Sequence, residues 1–99
     1  MSDAPLTIES FQPHIGTAFT VHTDQHEEVL TLKQVDAGKP SYPGGRDPFA
    51  LVFDGSSNDL MFHSQTVVFH HPEMGELAFL ISPFGRNDDG TFRYEAVFN

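Results

Sequence analysis

The chain has 99 residues, 38% of them hydrophobic, with ten Phe and neither Trp nor Cys. That length supports one modest core, supplied here mainly by rings, and the missing thiols exclude a disulfide scaffold, a thiolate metal site and a cysteine nucleophile. Fourteen acidic against five basic side chains give a formal charge of −9, which repels phosphate backbones and anionic membrane surfaces and argues against nucleic acid and membrane as partners. Met1 to Pro5 has neither the basic nor the apolar region of a signal peptide, and no run approaches the roughly 18–20 apolar residues of a membrane span. The expectation is a cytoplasmic protein whose residues 1–99 form a single domain.

Leu6, Ile8, Phe11 and Ile15 fall at mixed spacing, with Thr7 and Ser10 available as caps and Gly16 as a stop. Pro13 limits any helix there to a turn or two, because deeper inside a helix it would remove a hydrogen bond and clash with the preceding turn. A short helical plug at one end of a β structure is expected. From Thr17 to His22, Phe19 and Val21 alternate with Ala18, Thr20 and His22, the period of a strand with one buried face. Beyond the polar turn Thr23 to Glu27, Leu30 and Leu32 alternate with Val29, Thr31, Lys33 and Val35, completing a first hairpin.

Asp36 to Pro48 contains Gly38, Pro40, Pro43, Gly44, Gly45 and Pro48, and its prolines forbid a regular strand, so a long surface loop is expected. Phe49, Leu51 and Phe53 then share one face of a third strand, and Asp54 to Asp59 is a turn. Leu60 to His71 reads as one bent strand or two short ones, with Leu60, Phe62, Val67 and Phe69 as core candidates. Pro72-Glu73-Met74-Gly75 is a tight connection with Gly75 at positive φ. Glu76 to Ser82 has apolar residues on both faces and is expected to be buried on both, with Pro83 ending its pairing. In the last hairpin, Phe92, Tyr94, Ala96 and Phe98 alternate with Thr91, Arg93, Glu95 and Asn99 behind a loop spanning Gly85 to Gly90.

Six to seven strands joined by short polar turns predict an all-β fold, a small antiparallel barrel-like domain with a short N-terminal helical turn. A barrel is preferred to an open sandwich because it removes unpaired edges, and the apolar last strand would otherwise be an aggregation-prone edge.

The stretches Phe49-Ala50-Leu51-Val52-Phe53-Asp54-Gly55, His71-Pro72-Glu73-Met74-Gly75, Phe79-Leu80-Ile81-Ser82-Pro83 and Tyr94-Glu95-Ala96-Val97-Phe98-Asn99 carry a resemblance. Leu60, Phe11 and Ile15-Gly16-Thr17-Ala18-Phe19 extend it over nearly the whole chain. In these the chain resembles a family of small uncharacterised bacterial proteins of about this length that end in the same way. It departs from the family pattern at Met61 to Thr66. The resemblance implies a bacterial setting, mobile elements and phage tails included, and no assigned activity.

Six histidines raise the question of a metal. His22 and His26 are four apart, but across a turn rather than on one helix face, and the adjacent His70 and His71 point to opposite faces of a strand. Surface or rim imidazoles with ordinary titration are the simpler reading, and a site drawn from His63, His70, His71 and nearby acids the alternative. No cofactor motif is present. An EF-hand alignment on Gly90 puts Gly85 and Ala96 where carboxylates are required, and a phosphate loop fails because Thr91 replaces the lysine. A hairpin turn remains, with Asn87 or Asp88 bonding nearby backbone and Gly90 at positive φ.

Lys39, Arg46 and Arg86 lie in expected loops. If the Gly/Pro-rich loop covers a barrel mouth, Tyr42, Arg46, Phe49 and Arg86 are the candidate ligand-binding residues, cations for an anionic group and rings for an apolar wall. Gly55-Ser56-Ser57 lacks the nucleophile elbow, and no carboxylate pair stands out as acid and base. Three readings follow. The first is a non-enzymatic binding or assembly module with a protein partner or self-association; the second is a small-ligand pocket, enzymatic or not; the third is histidine-based metal binding.

Overall fold

The computed structural model describes residues 7–22, 27–38, 48–57, 61 and 63–98. Among them, six strands run β1 Ala18–His22, β2 Glu27–Ala37, β3 Phe49–Asp54, β4 Gln65–His71, β5 Gly75–Arg86 and β6 Phe92–Phe98. They form a closed antiparallel barrel in the order β1-β2-β3-β6-β5-β4. The last strand lies between β3 and β5, so the edge that an open sheet would leave is paired on both sides.

Helix α1, Ile8–Phe11, passes into a 3-10 turn at Gln12–His14 with Pro13 inside it, and Gly16 turns the chain into β1 at φ 91°. The segment is the expected plug. Phe11 is fully buried, with its ring centroid 6.0 Å from Phe49, 6.1 Å from Phe79 and 5.9 Å from Phe98. Deeper in the barrel, Phe53 and Phe69 stack at 5.4 Å, Phe69 and Phe79 at 4.2 Å, and Phe19 meets Phe53 edge-on at 5.5 Å. Leu30, Leu32, Leu51, Ile81 and Tyr94 fill the space between them. Each fully buried Phe contributes roughly 1.5–3 kcal/mol, so the rings account for a large share of the fold's stability.

Several local expectations are corrected. A bulge between Leu32 and Gln34 adds a residue to β2, so Val35, expected on the face of Lys33, turns inward and packs on the core. Ala78 and Leu80 of β5 lie on the outer wall, with Leu80 55% exposed, because a closed barrel has one interior and the plug covers an end rather than this wall. Pro83 does not end β5. The ladder slips between Pro83 and Gly85 and continues to Arg86, and such a bulge accommodates a residue with no N–H to donate. The core candidates Leu60 and Phe62 lie outside the described residues, while Val67 and Phe69 are buried as expected.

Candidate functional site

Of the candidate ligand-binding residues, the two that are described, Phe49 and Arg86, stand at opposite ends of the barrel. Phe49 opens β3 at the plugged end, stacked on Phe98 at 4.7 Å and buried, so it is a core residue rather than a wall. Arg86 closes β5 at the opposite mouth, where its guanidinium lies over the Phe92 ring, 4.8 Å from the centroid. Tyr42 and Arg46, like Lys39 and His26, lie outside the described residues.

At Arg86's end, the strand ends and the β5–β6 turn build a polar groove of about 590 Å³ lined by residues including Lys33, Asp54, Arg86, Asn87 and Arg93. Asn87 organises it. Its Nδ2 donates to Asp54 Oδ1 at 3.0 Å and to Thr91 Oγ1 at 3.1 Å, and its Oδ1 accepts from Arg93 Nε at 3.1 Å. Asp54 faces Lys33 Nζ at 3.6 Å and Arg93 Nε at 3.7 Å, so one carboxylate serves two cations. Asn87 bonds nearby backbone as expected, its N–H donating to the Thr91 carbonyl at 2.8 Å and its carbonyl accepting from Gly90 N at 2.9 Å. Asp89 adds a side-chain bond, its Oδ1 accepting from Thr91 N at 3.0 Å and Thr91 Oγ1 at 2.6 Å. These bonds, the Thr91 hydroxyl first, hold the Asp89 carboxyl below its ordinary pKa. Gly90 takes φ 90° as expected. Beside the groove, Ser56 Oγ donates to the buried Glu28 at 3.0 Å, tying the turn after β3 onto β2. The pair lies far apart in the chain and carries no spacing signal.

The histidines divide by face. His70 points outward and His71 inward, as alternation requires, but His71 is only 7% exposed and is no rim imidazole. Its Nδ1 accepts the backbone N–H groups of Glu73 at 3.0 Å and Met74 at 3.1 Å. The proton therefore sits on Nε2, which donates to Thr17 Oγ1 at 3.0 Å, and that hydroxyl donates to the carbonyl of His14 at 2.6 Å. Burial pushes the His71 pKa below 6.5, the neighbouring His14 ring pushes it the same way, and Glu73 partly opposes both. This chain of bonds fastens the plug to the β4–β5 turn, where Gly75 takes φ 79°. On the outer wall, His22 and His70 are in edge contact at 4.9 Å. His63 is exposed, and its carbonyl accepts from Gln65 Nε2 at 3.2 Å. Among the described residues no three metal-ligating side chains converge, and His63, His70 and His71 do not form the alternative site.

A family model described as a domain of unknown function, DUF6916, matches residues 6–98. The chain belongs to this family. No curated protein and no solved structure matches it. The resemblance seen in the sequence, to small proteins without an assigned activity, is thereby shown. No helix among the described residues is long and apolar enough to cross a membrane.

Proposed function

We propose that this protein is a non-enzymatic binding or assembly module that works through the outer wall of its barrel. The observation that carries this reading is an apolar stripe crossing four strands. Ala50 of β3 faces Val97 of β6, which is 59% exposed. Ser82 faces Glu95, and two positions on along each strand Leu80 and Val97 share the outer face, while inside the wall Phe79 and Phe98 stay in ring contact at 5.3 Å. Leu80 faces Thr66, and Ala78 faces the exposed Val68 on β4. A shallow groove of about 200 Å³, lined by Ala37, Pro48, Ala50 and Val97 among others, continues the stripe toward β2.

Exposed apolar side chains gathered on one wall of a protein of high net charge support a contact surface there. The interior, by contrast, offers stacked rings where an enclosed ligand chamber would need space. A bacterial setting, implied by the family resemblance, and a cytoplasmic location are part of the proposal.

The test is light scattering together with pull-down, comparing the full chain with Leu80→Asp and Val97→Asp. Both positions are exposed, so melting temperature should stay within a few degrees while association is lost. A wild-type chain that is monomeric at all concentrations and captures no partner would refute the proposal.

A further inference from the structure

Beside that stripe lies a side-chain cluster that the assembly reading leaves unused. Across the β1–β4 ladder Thr20 faces His70 and His22 faces Val68, so the two histidines are diagonal neighbours on the outer wall. Their rings are 4.9 Å apart at 80°. Glu27, directly across from His22 on β2, places Oε2 3.1 Å from His22 Nδ1. Glu76, directly across from His70 on β5, places Oε2 3.8 Å from His70 Nδ1. The order Glu27, His22, His70, Glu76 thus spans four adjacent strands of a closed barrel, with every member solvent-accessible.

The Glu27 carboxylate at 3.1 Å favours the His22 tautomer with the proton on Nδ1 and leaves Nε2 unprotonated, the arrangement that orients histidine ligands of zinc. Glu76 at 3.8 Å, by contrast, lies beyond hydrogen-bond reach of His70 and supplies only nearby negative charge. Zinc sits about 2.0–2.1 Å from an imidazole nitrogen, so two rings on one tetrahedral ion have centroids roughly 5 Å apart. The observed separation of 4.9 Å matches. Two histidines fill half of a tetrahedral shell.

We propose that His22 and His70 are a half-site for a divalent cation of the zinc class, completed by the same two residues of a second copy of this chain. The ion then joins two barrels wall to wall. A two-fold contact places each His pair against its twin, and Val68, facing His22, is carried into the same interface. Two chains of charge −9 repel each other, and a divalent ion between them offsets that repulsion where the walls approach. The inference rests on the assembly reading in that it names the partner as a second copy.

The experiment is sedimentation velocity of the full chain at pH 7.5 in zinc chloride and in EDTA, with metal content measured on the sedimenting species. The expected result is a doubling of mass in zinc at one ion per two chains, reversed by EDTA. His22→Ala and His70→Ala should each abolish the doubling, and His22→Gln, which keeps a polar side chain of similar reach without a metal-ligating nitrogen, should do the same. His63→Ala, outside the cluster, should leave it intact.

The proposal is overturned by a mass unchanged by zinc, by one ion per monomer, or by zinc-driven doubling that survives loss of either histidine. The two readings fail separately. Association that Leu80→Asp removes and that zinc, EDTA and His22→Ala all leave unchanged would sink the metal bridge and keep the assembly module, whereas zinc-driven doubling that Leu80→Asp and Val97→Asp both leave intact, with no other partner captured, would keep the bridge and remove the stripe's role.

Discussion

Replacing His71 tests how the plug is held. In His71→Ala the Nε2 bond to Thr17 disappears, and the Glu73 and Met74 amides lose their common acceptor. The ring also leaves contacts at 4.5 Å with Phe19 and 4.7 Å with His14. Part-buried amides left unpaired cost about 1–3 kcal/mol and truncating a buried ring costs several more, so the expected loss is roughly 3–5 kcal/mol, a large fraction of the stability of a domain this size. At about 4–8 °C per kcal/mol, even the lower figure lowers Tm by some 12 °C or more.

The pH dependence has a definite sign. The folded His71 pKa lies below 6.5, so the unfolded chain binds the proton more readily. The stability that neutral His71 contributes is fully present above about pH 6.5 and is lost as pH falls through the lowered folded value. Urea melts between pH 5 and 8 should show that slope in the wild type and lose this component in His71→Ala. His71→Asn, whose Oδ1 can take the place of Nδ1 under the two amides, should recover part of the stability without the slope. Identical pH slopes for wild type and His71→Ala, or a His71 proton titrating at or above pH 6.5 by NMR, would refute the reasoning.

Two further outcomes follow from the packing. Phe11→Ala should cost about 3–5 kcal/mol in a chemical melt, because the ring lies among Phe49, Phe79 and Phe98, and a loss below about 1 kcal/mol would mean that the plug is dispensable. Ending the chain before Thr91 removes Tyr94 and Ala96 from the core and leaves β3 and β5 with open edges. Circular dichroism should then show no cooperative melt, and a retained melt would show that β6 is not needed for closure.

Much of this fold is legible in the chain because alternation is a local property. Phe19 and Val21, Leu30 and Leu32, Phe79 and Ile81, and Tyr94 and Ala96 all point inward as their period-two spacing implies. The turns at Gly75 and Gly90 are legible for a similar reason, since positive φ costs a side-chain-bearing residue energy that glycine avoids. The bulges were not legible. Val35 and Pro83 depend on how β2 and β5 slip against their neighbours, which no residue announces by itself.

The sites depend still more on tertiary structure. Sequence alone determined a ring-filled all-β domain of high negative charge and marked the histidines as worth following, because composition and spacing are properties of one strand at a time. Only closure of the barrel decided that Phe49 and Arg86 stand at opposite ends, that His71 faces the core while His70 meets His22, and that Leu80 and Val97 share one outer wall. The physical reason is that β-ladder register joins residues tens of positions apart, so a side chain's neighbours across the sheet are set by pairing and not by the residues beside it in the chain.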